Sequence, residues 1–139
     1  MNDRYFVDTN ILVYANDPAE KTKQQIAQNI ILDGIRKELI VISAQVLSEF
    51  YVTVTRKIQK AMDQKSALNE IKLLRHVEIM DIDFNLIIQA IRISQKHNLS
   101  YWDSLIISAA IHSKVNILYS EDLNHNQVIE GVRIINPFI

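Results

Sequence analysis

Leu39-Ile40-Val41-Ile42-Ser43 is a continuous β-rich run with no apolar/polar alternation. A strand of this kind is stable when both of its faces are covered, the situation of a strand inside a parallel sheet flanked by helices. The rest of the chain follows suit. Residues 5–8, 77–80, 115–120 and 132–136 are further strand candidates. Helical segments alternate with them. Asp17-Pro18 has the form of an N-cap and first helical residue, opening a helix that stops near Gly34. Residues 44–58 carry Val46, Phe50, Val54 and Ile58 at i, i+4 spacing as a buried stripe. Asp63 caps a helix through Leu74 whose apolar face is Ala67, Leu68, Ile71 and Leu74. Asp83 starts another, which Asn98 ends in a left-handed cap. Residues 101–113 are apolar nearly all round, predicting a centrally buried helix. Strands alternating with helices predict an α/β fold, a central parallel sheet flanked by helices.

At 139 residues, the expectation is one domain spanning 1–139. With no Cys, disulfides and thiolate metal sites are excluded. No stretch approaches the ~20 apolar residues of a membrane span. Asp3, Arg4 and Asp8 stand where a signal peptide would need its basic and apolar segments, so a cytoplasmic protein is expected. The net charge of −1 lacks the basic balance of a nucleic-acid binder, which weakens a pure binding role more than an enzymatic one.

Four acids fall at strand ends or helix starts. Asp8 ends the first strand, and Asp122 follows the Asn116-Ile117-Leu118-Tyr119-Ser120 strand after one residue. Parallel strands share a direction, so both lie at the carboxyl edge of the sheet. Glu49 is in the second turn of the helix leaving the second strand, one turn from Gln45, and Asp103 begins the buried helix. Carboxylates gathered there repel one another unless a cation is present. Mg²⁺ or Mn²⁺ meets that need with oxygen ligands and retained waters. Without a Cys nucleophile or a Ser/His arrangement, the chemistry that fits is metal-assisted phosphodiester hydrolysis.

Each acid also has a plainer explanation. Asp8-Thr9-Asn10 suits turn and cap chemistry before a short helix, and Ser100-x-x-Asp103 is a capping-box pattern. Glu49 suits a solvated helix face, and Glu121-Asp122 a loop. The possibility that four separate positions meet on one sheet edge favours the metal site. Receivers and haloacid-dehalogenase-like phosphatases also use a strand-end Asp. The latter need a second Asp two residues on, where this chain has Asn10, and the paired acids and late Lys of receivers are not evident.

Phe6-Val7-Asp8-Thr9-Asn10-Ile11-Leu12, Ser43-Ala44-Gln45-Val46-Leu47-Ser48-Glu49-Phe50, Leu99-Ser100-Tyr101-Trp102-Asp103-Ser104-Leu105-Ile106 and Leu118-Tyr119-Ser120-Glu121-Asp122-Leu123, in this order and spacing, resemble the PIN-domain ribonucleases, particularly the VapC-type toxins of toxin–antitoxin pairs. The resemblance implies a three-layer PIN-like fold and a single-strand-directed endoribonuclease. Asp8, Glu49, Asp103 and Asp122 would hold Mg²⁺ or Mn²⁺, and Asn10 and Ser120 would orient carboxylates. Asp122 rather than Glu121 is the expected ligand, because the pattern is hydroxyl residue, any residue, Asp. The resemblance further implies an RNA substrate, a homodimer and a cognate antitoxin that reaches into the active site. A non-catalytic PIN-fold module binding RNA or protein is the alternative.

Arg56, Lys57 and Lys60 could grip RNA phosphates, although cations at a helix end explain them equally well. Trp102 could stack on a base, but its place on an apolar helix favours core packing. His76, His97, His112 and His125 show no zinc-like spacing, and His125 is expected in a surface loop.

Overall fold

The computed structural model describes residues 3–139. Six strands form one sheet: β1 (Tyr5–Val7), β2 (Ile40–Ser43), β3 (Glu78–Met80), β4 (Ile117–Tyr119), β5 (Val128–Ile129) and β6 (Val132–Ile135), in the order β3-β2-β1-β4-β6-β5. Every pairing is parallel except β5 with β6. β2 is buried along its whole length, as its unbroken apolar run requires. Six α-helices complete the α/β fold: α1 (Thr9–Ala15), α2 (Lys21–Arg36), α3 (Ala44–Arg56), α4 (Gln64–Leu73), α5 (Phe84–His97) and α6 (Tyr101–His112). Helices α2, α3 and α6 all pack on β2. Among the described residues, no helix is long and apolar enough to cross a membrane.

Local chemistry sets the helix starts. Ser43, Asp63, Asp83 and Ser100 each accept a hydrogen bond from a backbone N–H of the first turn, satisfying a donor that the helix leaves open. Asn98 ends α5 in the left-handed conformation, as its sequence position predicts. Val46, Phe50 and Val54 are buried in the core, where α3 packs against α1 and α4, with Ile58 partly covered.

Two expectations need correction. The Asp17-Pro18 pair does not open a helix; Asp17 Oδ1 instead accepts from Ala19 N at 3.0 Å and its carbonyl from Glu20 N at 3.2 Å, closing a turn. Helix α2 starts only at Lys21 and runs on to Arg36, two residues past Gly34. Leu68, placed on the apolar face of α4, is 46% exposed, because Ala67 and the partly covered Ile71 meet the core instead. The central sheet is parallel as expected, with one short antiparallel strand added at its edge. Glu130 and Gly131, both at positive φ (46° and 88°), make a two-residue turn that folds β5 back on β6.

Gly34 has a different duty. A Cβ there would lie 2.6 Å from Tyr5 Oη and 2.8 Å from Ile40 Cβ, so α2 approaches the sheet closely only because this position has no side chain.

Strand order reverses at β1. From it the chain first builds outward through β2 and β3, then returns to its other side with β4. Open α/β sheets place their sites in the crevice outside the carboxyl ends of the strands at such a switch.

Candidate active site

Asp8 leaves the carboxyl end of β1 and caps α1. Its Oδ1 accepts from Thr9 N at 2.7 Å, and its Oδ2 from the Ser120 hydroxyl at 2.8 Å. The strand ends are locked together by Asp8 N donating to Tyr119 O at 2.9 Å. Only 6% of Asp8 is exposed, so its charge is largely stripped of water. Burial pushes its carboxyl up to about 6; the Ser120 and Thr9 hydrogen bonds oppose the rise, and the charges of Glu49 and Asp122 add to it.

Glu49 reaches the same place from α3. Its Oε1 accepts from Thr9 Oγ1 at 2.6 Å, and its Oε2 from Gln45 Nε2 at 3.3 Å. The Gln45 amide also donates to the carbonyl of Trp102 at 3.1 Å, so one buried side chain ties Glu49 to the first turn of α6. Asp103 sits in that turn. Its backbone N–H donates to Ser100 Oγ at 3.1 Å, so Ser100 caps the helix while the Asp103 carboxylate remains beside the other acids. Burial raises the Asp103 carboxyl, the Ser100 hydroxyl lowers it, and the charges of Asp122 and Glu49 raise it further.

Asp122, beyond β4, is exposed and accepts from Asn10 Nδ2 at 3.2 Å. Asn10 holds the segment a second time by accepting from Glu121 N at 3.2 Å. Glu121 itself turns away: Tyr14 Oη donates to it at 2.5 Å and Lys23 pairs with it at 2.6 Å. Its burial favours the neutral form, but these two partners outweigh that and hold its carboxyl below the usual range. Lys23 also lies over the Tyr14 ring, 4.8 Å from the centroid.

Asp8, Glu49, Asp103 and Asp122 line one cleft of about 800 Å³, together with Thr9, Asn10, Lys57 and Trp102. No cation is among the groups that shift Asp8 or Asp103. Among the described residues, no three acids or histidines converge as a ready-made cage for one ion. The donor set nonetheless fits Mg²⁺ or Mn²⁺, which take hard oxygen ligands and bind through one or two carboxylates with several waters kept.

Of the three expected phosphate contacts, Lys57 lines the cleft, whereas the exposed Arg56 and Lys60 stand outside its lining. Trp102 overturns its expected place in the core: it is 62% exposed, because burial on α6 begins only at Ser104. His125 is exposed, as expected, and Nδ1 accepts from Asn136 N at 2.9 Å. Thr9 and the Gln45 bridge were missed, since each links segments distant in sequence. The Asp8-Thr9-Asn10 triplet is the local signal for Thr9, and the i, i+4 spacing of Gln45 and Glu49 that for Gln45.

The family model described as PIN domain matches residues 5–130. None of the curated proteins matches the chain. Among solved structures, Mycobacterium tuberculosis VapC20, described as a sarcin–ricin-loop-cleaving toxin, superposes with a TM-score of 0.68 at 18% identity, covering 85% of this chain and 89% of that one. A toxin–antitoxin complex from Klebsiella pneumoniae gives 0.69 at 16% identity, covering 96% and 97%. VapBC2 from Rickettsia felis, bound to a DNA fragment of its promoter, gives 0.63 at 21% identity, covering 94% and 96%. The likeness in fold and the match over nearly the whole length lead to one conclusion: this chain belongs to the PIN domain family.

Proposed function

We propose that this chain is a metal-dependent endoribonuclease that hydrolyses phosphodiester bonds in single-stranded or loop RNA, the toxin of a toxin–antitoxin pair. The observation that carries the reading is the meeting of Asp8, Glu49, Asp103 and Asp122 in one cleft, with Asp8 buried and short of a neutralising partner. Mg²⁺, with Mn²⁺ able to replace it, is the cation of choice, and these four acids are the residues to hold it. The chemistry supplied by a bound ion is activation of water and stabilisation of charge on the phosphate being displaced.

The chain's own groups do the rest. Ser120 and Thr9 N hold the two oxygens of Asp8, Thr9 Oγ1 and Gln45 hold those of Glu49, and Asn10 orients Asp122. Glu49 would either ligate the ion or position the attacking water. Lys57, across the cleft, offers a charge for a flanking phosphate. The toxin–antitoxin neighbours favour a cognate antitoxin as partner, and VapC20's described cleavage of the sarcin–ricin loop favours loop RNA as target. A homodimer acting in the cytoplasm accords with this reading.

The test is cleavage of a mixed single-stranded RNA with Mg²⁺, with Mn²⁺ and with EDTA, beside Asp8→Asn. Metal-dependent cutting that the substitution abolishes is expected. Equal cutting by the variant would sink the assignment, and no cutting together with no metal binding would leave a non-catalytic PIN-fold module.

A further inference from the structure

Trp102 is the only tryptophan of the chain, and the structure sets it in the open. A single exposed aromatic is unremarkable on a protein surface. This one is not placed at random. It lines the same cleft as the four acids and immediately precedes Asp103. The Gln45 amide that holds Glu49 also holds its carbonyl, at 3.1 Å. Its ring meets Tyr101 edge-on, with centroids 5.1 Å apart and planes at 72°. Such a contact restrains the indole while leaving ring surface free. Val52, Ile58 and Ile106 extend the apolar part of the lining, and Lys57 adds a cation.

The cleft thus presents acids, an aromatic plane with apolar neighbours, and a positive charge. A cation with water and phosphate, a nucleobase, and a flanking phosphate are the respective matches. We propose that Trp102 is a stacking platform for a nucleobase beside the scissile phosphate, so that the substrate is gripped by a base as well as by its backbone; this rests on the nuclease reading above. Every base has a π-face, so the grip is tolerant of sequence and favours unpaired nucleotides, whose faces are free. A duplex keeps those faces stacked and is a poor occupant. Trp102 acts here on binding, not as a catalytic residue.

The fluorescence of the sole tryptophan reads the contact directly. Asp8→Asn protein with Mg²⁺ is titrated with a short mixed single-stranded RNA labelled for anisotropy, and with an abasic ribose-phosphate oligomer of equal length. The expected result is saturable quenching with the RNA, absent with the abasic oligomer. Trp102→Ala should bind the RNA roughly 5- to 150-fold more weakly, and Trp102→Phe should recover most of that loss. In the otherwise wild-type enzyme, Trp102→Ala should raise KM more than it lowers kcat. RNA binding that leaves the fluorescence unchanged, or that Trp102→Ala does not weaken, would overturn the proposal. So would absence of RNA binding, or fluorescence that follows protein concentration alone, which would assign Trp102 to self-association. Cleavage without quenching refutes the stack and spares the nuclease reading; quenching without cleavage by the wild-type chain does the reverse.

Discussion

The Ser120 hydroxyl donates to Asp8 Oδ2 at 2.8 Å across 112 positions of sequence, and both side chains are shut away from solvent. Parallel pairing of β1 with β4 brings them together, through Val7 opposite Tyr119. The bond favours the ionised form of Asp8, against a burial that disfavours it. Ser120→Ala should therefore lift the Asp8 carboxyl above about 6. The acid limb of metal-dependent cleavage should move to higher pH, with activity at alkaline pH reduced much less. A profile of kcat/KM against pH checks this; an acid limb that stays in place would separate Asp8 from the titration.

The burial of Asp8 also bears on stability. Its carboxyl titrates near 6 in the folded protein and at 3.8 ordinarily. Ionisation therefore costs the metal-free fold nothing below the lower value, and increasingly more between the two. Above the higher value the cost levels off at about 3 kcal/mol. Asp8→Asn removes the charge while an amide can still cap α1 and meet Ser120. In EDTA the variant should unfold at higher denaturant than wild type at pH 8, with the advantage shrinking toward pH 4. Mg²⁺ should stabilise wild type more than the variant. Equal stability of the two proteins at every pH would contradict the burial cost.

Neighbouring acids should separate cleanly by substitution. Glu121 is spent on Tyr14 and Lys23, while Asp122 faces the other carboxylates. Glu121→Gln should lower cleavage by no more than ~10-fold, by loosening the segment that presents its neighbour. Asp122→Asn should lower it by at least ~100-fold and weaken metal binding. Calorimetry with Mn²⁺ beside the rate measurements decides; the reverse ranking would make Glu121 the ligand.

Gly34→Ala forces a methyl group against Tyr5 and Ile40. Tyr5 Oη would lose its place on the Ile30 carbonyl, to which it donates at 2.6 Å. Overpacking of this kind costs about 1–3 kcal/mol, seen as a drop of several degrees in the melting temperature. The site lies elsewhere, so kcat of the folded fraction should stay near wild type.

Where local chemistry decides a feature, the sequence displays it. The Asp63 and Asp83 caps, the Asn98 stop and the buried β2 run depend on residues within a turn or two, and all are as expected. Asp8 and Asp122 could be placed on one edge because parallel strands share a direction. Features decided by distant packing were hidden. Trp102 sits on an apolar helix, but the first turn of α6 stands over the strand ends, where solvent replaces the core. β5 spans two residues, and its turn places Glu130 where Asn or Asp is usual, so neither period nor turn signal marks it. Asp17-Pro18 has the residues of a helix start, but Asp17 spends its carboxylate on a tight turn instead.

The order of the strands has a consequence for the newly made chain. β1 leaves the ribosome ahead of β4, which completes its neighbourhood and emerges more than 100 residues later. Between the synthesis of Glu49 and that of Asp122 roughly 4 to 15 seconds pass at ordinary elongation rates. Asp8 spends most of that interval without Asp103 and nearly all of it without Ser120 and Asp122 beside it. The acidic cleft therefore cannot assemble on a nascent chain until the segment that follows β4 has been made.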